Sequence, residues 1–210
     1  MNLPPGRSPP GSGTSSRGMT PWALAVDPSR AALLIIDVQE RLAAAMPPEG
    51  MAALTRNLLV LCEAARRFGL PVVASQQYPR GLGATVAPVE EALAALPPEQ
   101  VHRFDKVEFS ACAAPAAAAL WSRLARDTWI TTGMEAHVCV YQTVRQLRDE
   151  GASVHVVRDA VLSRTADNLA TGLGLIERTG AVVTSTEVVV FDLLQKAGTD
   201  DFKALSKLIR

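Results

Sequence analysis

The chain has 210 residues, with 21 basic side chains against 21 acidic ones, and 48% of its residues are hydrophobic. That length suits one domain with a sizeable core. The balanced charge offers no basic stripe for nucleic acid and no like-charge block for an interaction tail, and no apolar run approaches the roughly 20 residues that a membrane span needs.

The first stretch, MNLPPGRSPPGSGTSSRGMT, is rich in Pro, Gly and Ser and lacks the apolar centre of a secretory signal. Residues 1–24 read as a flexible tail outside the fold, with Met19 as an alternative start. Residues 25–210 read as a single domain. Its short apolar runs predict strands at Ala31–Asp37, Leu70–Ser75, Thr128–Gly133, Ser153–Asp159 and Ala181–Thr186, with a weaker one at Val101–Lys106. Helical spacing lies between them, over Thr55–Phe68, Val89–Ala95, Pro115–Arg126, Val138–Glu150 and Ala166–Arg178, and again in the last residues, TDDFKALSKLIR. Gly69, Gly151 and Gly180 stand where three of these helices should stop. Strands alternating with helices imply an α/β fold, a parallel sheet with helices on both faces. The near-continuous apolar strands fit a sheet covered on both sides. There is no internal repeat.

Three cysteines, Cys62, Cys112 and Cys139, form an odd set without CxxC spacing. This argues against a disulfide framework and a structural zinc site, and for a reducing cytoplasm.

Ligands of open parallel sheets sit beyond the carboxyl ends of the strands, so the reactive residues at those ends matter most. Asp37 directly follows LLII. A partly desolvated carboxylate there suits a general base, whereas an Asp in the same place also suits a helix N-cap. Lys106 ends the weak run, and a lone lysine is ordinarily solvated. Cys139 stands where a strand gives way to a helix. The positive helix end and a nearby ammonium would lower its thiol pKa, while the plainer reading is a small core residue. His137 is two positions from Cys139, and i, i+2 neighbours on a helix do not face each other, so it reads as a structural or pocket-edge residue. Gln39, two residues past Asp37, is a candidate to orient the acid or touch substrate. Arg158 and Arg164 would brace the sheet's end, or Arg164 would reach a neighbouring subunit.

LLIIDVQERL, ASQQYPRGLGATV, DKVEFSA and TGMEAHVCVYQTVRQLRDEGASVHVVRDAVLSR, in this order and separation, resemble the isochorismatase-like cysteine hydrolases. The resemblance runs from about Ala31 to the helix after Thr186. It implies a three-layer sandwich with a six-stranded parallel sheet of Rossmann-like topology. It implies a triad of Asp37 as base and later acid, Lys106 as charge stabiliser and Cys139 as nucleophile. It also implies a cis peptide between Met134 and Glu135, with the backbone N–H groups of Glu135 and Cys139 forming an oxyanion hole. Gln77, Tyr78 and Met134 would face the pocket. Nicotinamidases of this superfamily carry a metal-binding Asp and His cluster after the second strand. Here that place reads SQQYPRGLG, and the chain's histidines are His102, His137 and His155. No metal and no cofactor is therefore expected. The implied activity is hydrolysis of a C–N bond in a small amide through a thioester, by a homo-oligomer. The alternatives are vinyl-ether hydrolysis of the isochorismatase type and a non-catalytic oligomeric family member.

Overall fold

The computed structural model describes residues 24–209. The tail reading and the Met19 start therefore lie outside the described residues, Leu24 excepted. The six strands are β1 (Ala31–Ile36), β2 (Val72–Gln77), β3 (Val101–Lys106), β4 (Thr128–Met134), β5 (Ser153–Leu162) and β6 (Val182–Thr184). They form one sheet in the order β3-β2-β1-β4-β5-β6, and every neighbouring pair is parallel. This is the expected doubly covered sheet, with the chain reversing its direction of growth beside β1.

Period-two alternation along β1 decides which residues meet which layer. Leu33 and Ile35 pack on α2 (Pro48–Phe68), α4 (Ala87–Ala94), α8 (Thr186–Leu194) and α9 (Asp200–Leu208). Leu34 and Ile36 face the other way, onto α5 (Pro115–Leu124), α6 (Tyr141–Asp149) and α7 (Ala166–Arg178). Two short helices, α1 (Glu40–Ala43) and α3 (Pro79–Leu82), sit in the loops after β1 and β2. Among the described residues no helix is long and apolar enough to cross a membrane.

Three elements differ from expectation. Helix α2 begins at Pro48 rather than Thr55, because a proline in the first turn needs no N–H partner and Glu49 faces the positive helix end. Strand β5 continues past Asp159 to Leu162. Arg158 and Asp159 are exposed and interrupt the apolar run, yet the ladder resumes beyond a register shift opposite β4. Asp159 then ties this bulge to its surroundings, accepting from the Thr186 N–H and hydroxyl at 2.9 and 3.0 Å. Strand β6 stops at Thr184 because Ser185 caps α8, accepting from the Val188 N–H. Gly69, Gly151 and Gly180 all have positive φ at the helix ends where they were expected.

Gly133 is the tightest point of the sheet. Its φ is +111°, and a methyl group there would stand 2.0 Å from the Ile36 carbonyl oxygen on β1. Both the backbone conformation and the approach of two strands exclude a side chain. Exposed Gly174 on α7 has nothing within 4 Å of the same position. Gly133→Ala is expected to lower unfolding free energy by about 3 kcal/mol or more. Gly174→Ala should raise it by about 0.5–1 kcal/mol. Urea titrations of both variants check this, and equal stabilities would contradict the packing described.

Candidate active site

The order of the sheet brings the carboxyl ends of β3, β2, β1 and β4 side by side. Asp37, one residue past β1, adopts a left-handed conformation with φ +53°, which short polar Asp tolerates better than most side chains. Its N–H donates to the Ser75 carbonyl at 3.2 Å, and its side chain has no exposed surface. It is not a helix cap: Gln39 occupies the N-cap position of α1.

Lys106, the last residue of β3, is buried rather than solvated, and its Nζ lies 2.6 Å from Asp37 Oδ2. The ammonium also donates to Gln77 Oε1 at 2.6 Å and to the carbonyls of Glu108 and Phe109 at 3.2 and 3.3 Å. The other carboxylate oxygen, Asp37 Oδ1, accepts from the Ser75 hydroxyl at 2.8 Å. A buried ion pair persists only when its remaining hydrogen-bonding capacity is met in this way. Ser75 was not singled out from sequence. Its signal is a lone hydroxyl closing the apolar run of β2, in register with Ile36.

Cys139 lies in a widened π turn, Ala136–Val140, that leads directly into α6. It is buried, and the charges of Asp37 and Lys106 both act on its thiol. The three side chains singled out at the strand ends therefore do converge. The electrostatic expectation is corrected, however. Burial pushes the Cys139 thiol up to about 12, and the Asp37 charge adds to this. Lys106 opposes the rise without cancelling it. A sequence argument from helix end and lysine counts the favourable charges but not the lost solvent.

The neighbouring residues divide by what they hold. The Met134–Glu135 peptide is cis. The Glu135 carbonyl accepts from the N–H groups of Val138 and Val140, closing the π turn. Its carboxylate accepts from the Arg164 backbone N–H at 3.0 Å and from Arg164 Nε at 3.1 Å. Arg164 thus braces the turn that carries Cys139, within the chain. His137 does not pair with Cys139. Its Nδ1 lies 3.0 Å from the Ser163 hydroxyl.

Two of the expected pocket residues are placed otherwise. Gln39 is fully buried, and both ends of its amide are engaged by backbone. Nε2 donates to the Gln77 and Gly83 carbonyls, and Oε1 accepts from the Gln77 N–H at 2.7 Å. It therefore clamps the loop after β2 and has no free group for a substrate. Met134 has no exposed surface and packs in the α2 layer of the core, so it backs the site instead of facing an open pocket. Gln77 is half-buried and holds Lys106, with Nε2 donating to the Val107 carbonyl. Tyr78 is exposed at the rim, its ring lying over Gly81. Among the described residues no three His, Cys, Asp or Glu side chains cluster as a metal site. Gln76, near the end of β2 in the stretch where nicotinamidase-type ligands were sought, donates to the Thr85 hydroxyl.

Comparison with known proteins identifies the family and the fold. The sequence matches the isochorismatase domain over residues 31–188. The secreted isochorismatase effector Isc1 of Phytophthora sojae (strain P6497) is 39% identical over 151 residues, 71% of each chain. Isochorismatase domain-containing protein 1 of Danio rerio is 32% identical over 186 residues, which are 88% of this chain and 62% of that protein. This chain thus spans less than two thirds of the fish relative. The structure of MAR1 ribonuclease from Caenorhabditis elegans superposes with a TM-score of 0.80 at 32% identity, covering 88% of this chain and 92% of the nematode one. The domain match runs from β1 into α8, across every strand that carries the acid, the lysine and the thiol, and the chain belongs to the isochorismatase family.

Proposed function

We propose that the chain is a cysteine hydrolase that cleaves the C–N bond of a small amide. The observation that carries this reading is the Asp37–Lys106 pair, buried and 2.6 Å apart, with the Cys139 thiol under the influence of both charges. A thiol pushed up to about 12 holds its proton at neutral pH. Burial and the Asp37 charge favour the protonated thiol, so in this reading the proton leaves as the bond forms.

Asp37 is the acceptor that this requires. As Cys139 Sγ bonds to the amide carbon, Asp37 takes the thiol proton and the carbonyl electrons move onto oxygen. The backbone N–H groups of Glu135 and Cys139 would hold that oxyanion. Collapse breaks the C–N bond, and Asp37 returns the proton to the departing nitrogen. Water then attacks the thioester, giving a proton to Asp37 and releasing the carboxylic acid with regeneration of the thiol. Lys106 keeps the acid's charge compensated through both halves. Gln77 and Tyr78 would meet the substrate at the rim. Gln39 and Met134 take positioning roles in this reading, in keeping with their burial.

Vinyl-ether hydrolysis remains the alternative within the family, and it makes no use of a thiol nucleophile. The nematode neighbour is called a ribonuclease. A chain with 21 basic and 21 acidic residues lacks the excess positive charge that phosphate backbones attract. The three cysteines are free, which fits a reducing compartment. Exposed Val188 and Phe191 on α8 supply apolar surface suited to a homo-oligomer.

A panel of small amides assayed for ammonia or amine release, with a vinyl ether and a short RNA alongside, tests the reading. Cys139→Ala is expected to retain the fold and to reduce turnover of the active amide to at most about one part in a thousand. Undiminished turnover would rule out the thioester. In the unmodified protein, alkylation of Cys139 should keep accelerating through the neutral and mildly alkaline range. A plateau near neutral pH would contradict the raised thiol pKa.

The charge pair makes a separate prediction. Lys106→Met leaves the Asp37 carboxylate buried without its counter-ion and should lower stability by about 3–5 kcal/mol. Adding Asp37→Asn to that variant should recover part of the loss, because no uncompensated charge remains. Denaturant titrations read both. A single variant as stable as the parent would remove Lys106 from its assigned role.

A further inference from the structure

Thr143 lies on α6 one turn beyond Cys139 and has no exposed surface. Its hydroxyl donates to the Cys139 carbonyl at 2.7 Å. Alone that bond means little, since helical Thr commonly bonds back to the residue four positions earlier. The same oxygen, however, accepts the Ala111 N–H at 2.8 Å, from a segment 32 positions away in sequence. Ala111 opens a single 3-10 turn, Ala111–Ala113, directly after the loop that follows β3. That loop contributes the Glu108 and Phe109 carbonyls, which accept from Lys106. A second tie lies one turn further along α6, where the Ser110 hydroxyl donates to Gln146 Oε1 at 2.8 Å.

We infer that Thr143 is a positioning residue whose single oxygen staples the Lys106 loop to the nucleophile turn. The inference rests on the triad reading above and deepens it. One continuous path runs from the Lys106 ammonium through the Glu108 and Phe109 carbonyls to Ala111, then through the Thr143 hydroxyl to the Cys139 backbone. The cation and the sulfur are carried by separate strands, and their separation decides how far the ammonium offsets the burial of the thiol. The staple holds that separation. The Ser110–Gln146 contact and Cys112 Sγ, 4.0 Å from the Thr143 carbonyl, tie the same segments alongside it, but only the Thr143 hydroxyl reaches the Cys139 backbone directly.

The test is the pH profile of Cys139 alkylation by iodoacetamide in the full chain, read by mass spectrometry. It needs no substrate. Thr143→Val keeps the shape, removes the hydroxyl and orphans the Ala111 N–H. Cys139 should alkylate about tenfold more slowly at a given pH, equivalent to a shift of about one pH unit. Thr143→Ser restores the hydroxyl and should return the rate to within about twofold of the parent. Circular dichroism of each variant reports any general unfolding independently of the cysteines. A valine profile that superposes on the parent's, with only a lower melting temperature, would make Thr143 merely structural and overturn the inference.

Should the valine variant fail to fold, Ala111→Pro removes the N–H from the other partner, putting a ring carbon in place of the hydrogen. Ser110 already has the extended backbone, φ −73° and ψ 127°, that a residue before proline requires. An unchanged alkylation profile in that variant overturns the inference equally. A parent that cleaves no amide, yet shows the Thr143-dependent profile, would sink the amidase reading and leave the staple standing.

Discussion

The buried contact between Asp37 and Lys106 is the constraint on which the rest of the site depends. Taking two charges out of water costs several kcal/mol for each ion, and their attraction offsets this only where every remaining donor and acceptor is satisfied. The surrounding structure meets that condition from several directions. Ser75 takes one carboxylate oxygen, while Gln77 and two loop carbonyls share the ammonium. Gln39 in turn pins the backbone of Gln77, so the ligands of the cation are themselves held. All of these come from the ends of three adjacent parallel strands and the loops that leave them. Register is therefore an electrostatic matter here: sliding β2 by one residue would remove both Ser75 and Gln77 from the pair.

In the proposed reaction, the same pair makes a protonated thiol compatible with catalysis. Burial and the Asp37 charge both favour Sγ–H over Sγ⁻, and Lys106 pulls the other way. A group that disfavours the thiolate at rest is also the group positioned to take its proton. Once that proton moves, Asp37 becomes neutral and its opposition ends, leaving the ammonium facing the sulfur. On that reading the resting thiol reacts slowly with other electrophiles, and the nucleophile would form as the substrate carbon is engaged.

Much of the fold was legible because a doubly covered parallel sheet demands apolar strands, and those runs stand out against helical spacing. The gathering of Asp37, Lys106 and Cys139 was legible for a related reason, since parallel strands deliver all their carboxyl ends to one edge. Features set by side-chain packing were not. Gln39 reads as a polar residue near an acid, and only the fold shows both ends of its amide engaged by backbone. The family resemblance put Met134 at the pocket, yet its side chain turns into the α2 layer. The continuation of β5 was hidden by Arg158 and Asp159, whose exposure on a bulge breaks the apolar pattern without ending the ladder. The thiol's pKa direction was misjudged because burial is a property of the assembled core.

The nucleophile's turn is held from three sides by contacts that do not involve one another. From α7, Gly172 brings its helix so near the Ala136–His137 backbone that a methyl group there would lie 2.7 Å from it. From the end of β5, Arg164 holds Glu135 and Ser163 holds the His137 ring. From the β3 loop, Ala111 reaches Thr143. A π turn has longer-range hydrogen bonds than a regular helix and lacks its internal regularity, so its geometry must be imposed by neighbours. Each of the three contacts comes from a different strand end or helix of the same layer. Precision at the sulfur is thus a tertiary property, built on the sheet and α7 rather than on the rim where Tyr78 stands exposed. This division lets the rim loops vary in shape, and with them the substrate accepted, while the distances among acid, cation and thiol stay fixed.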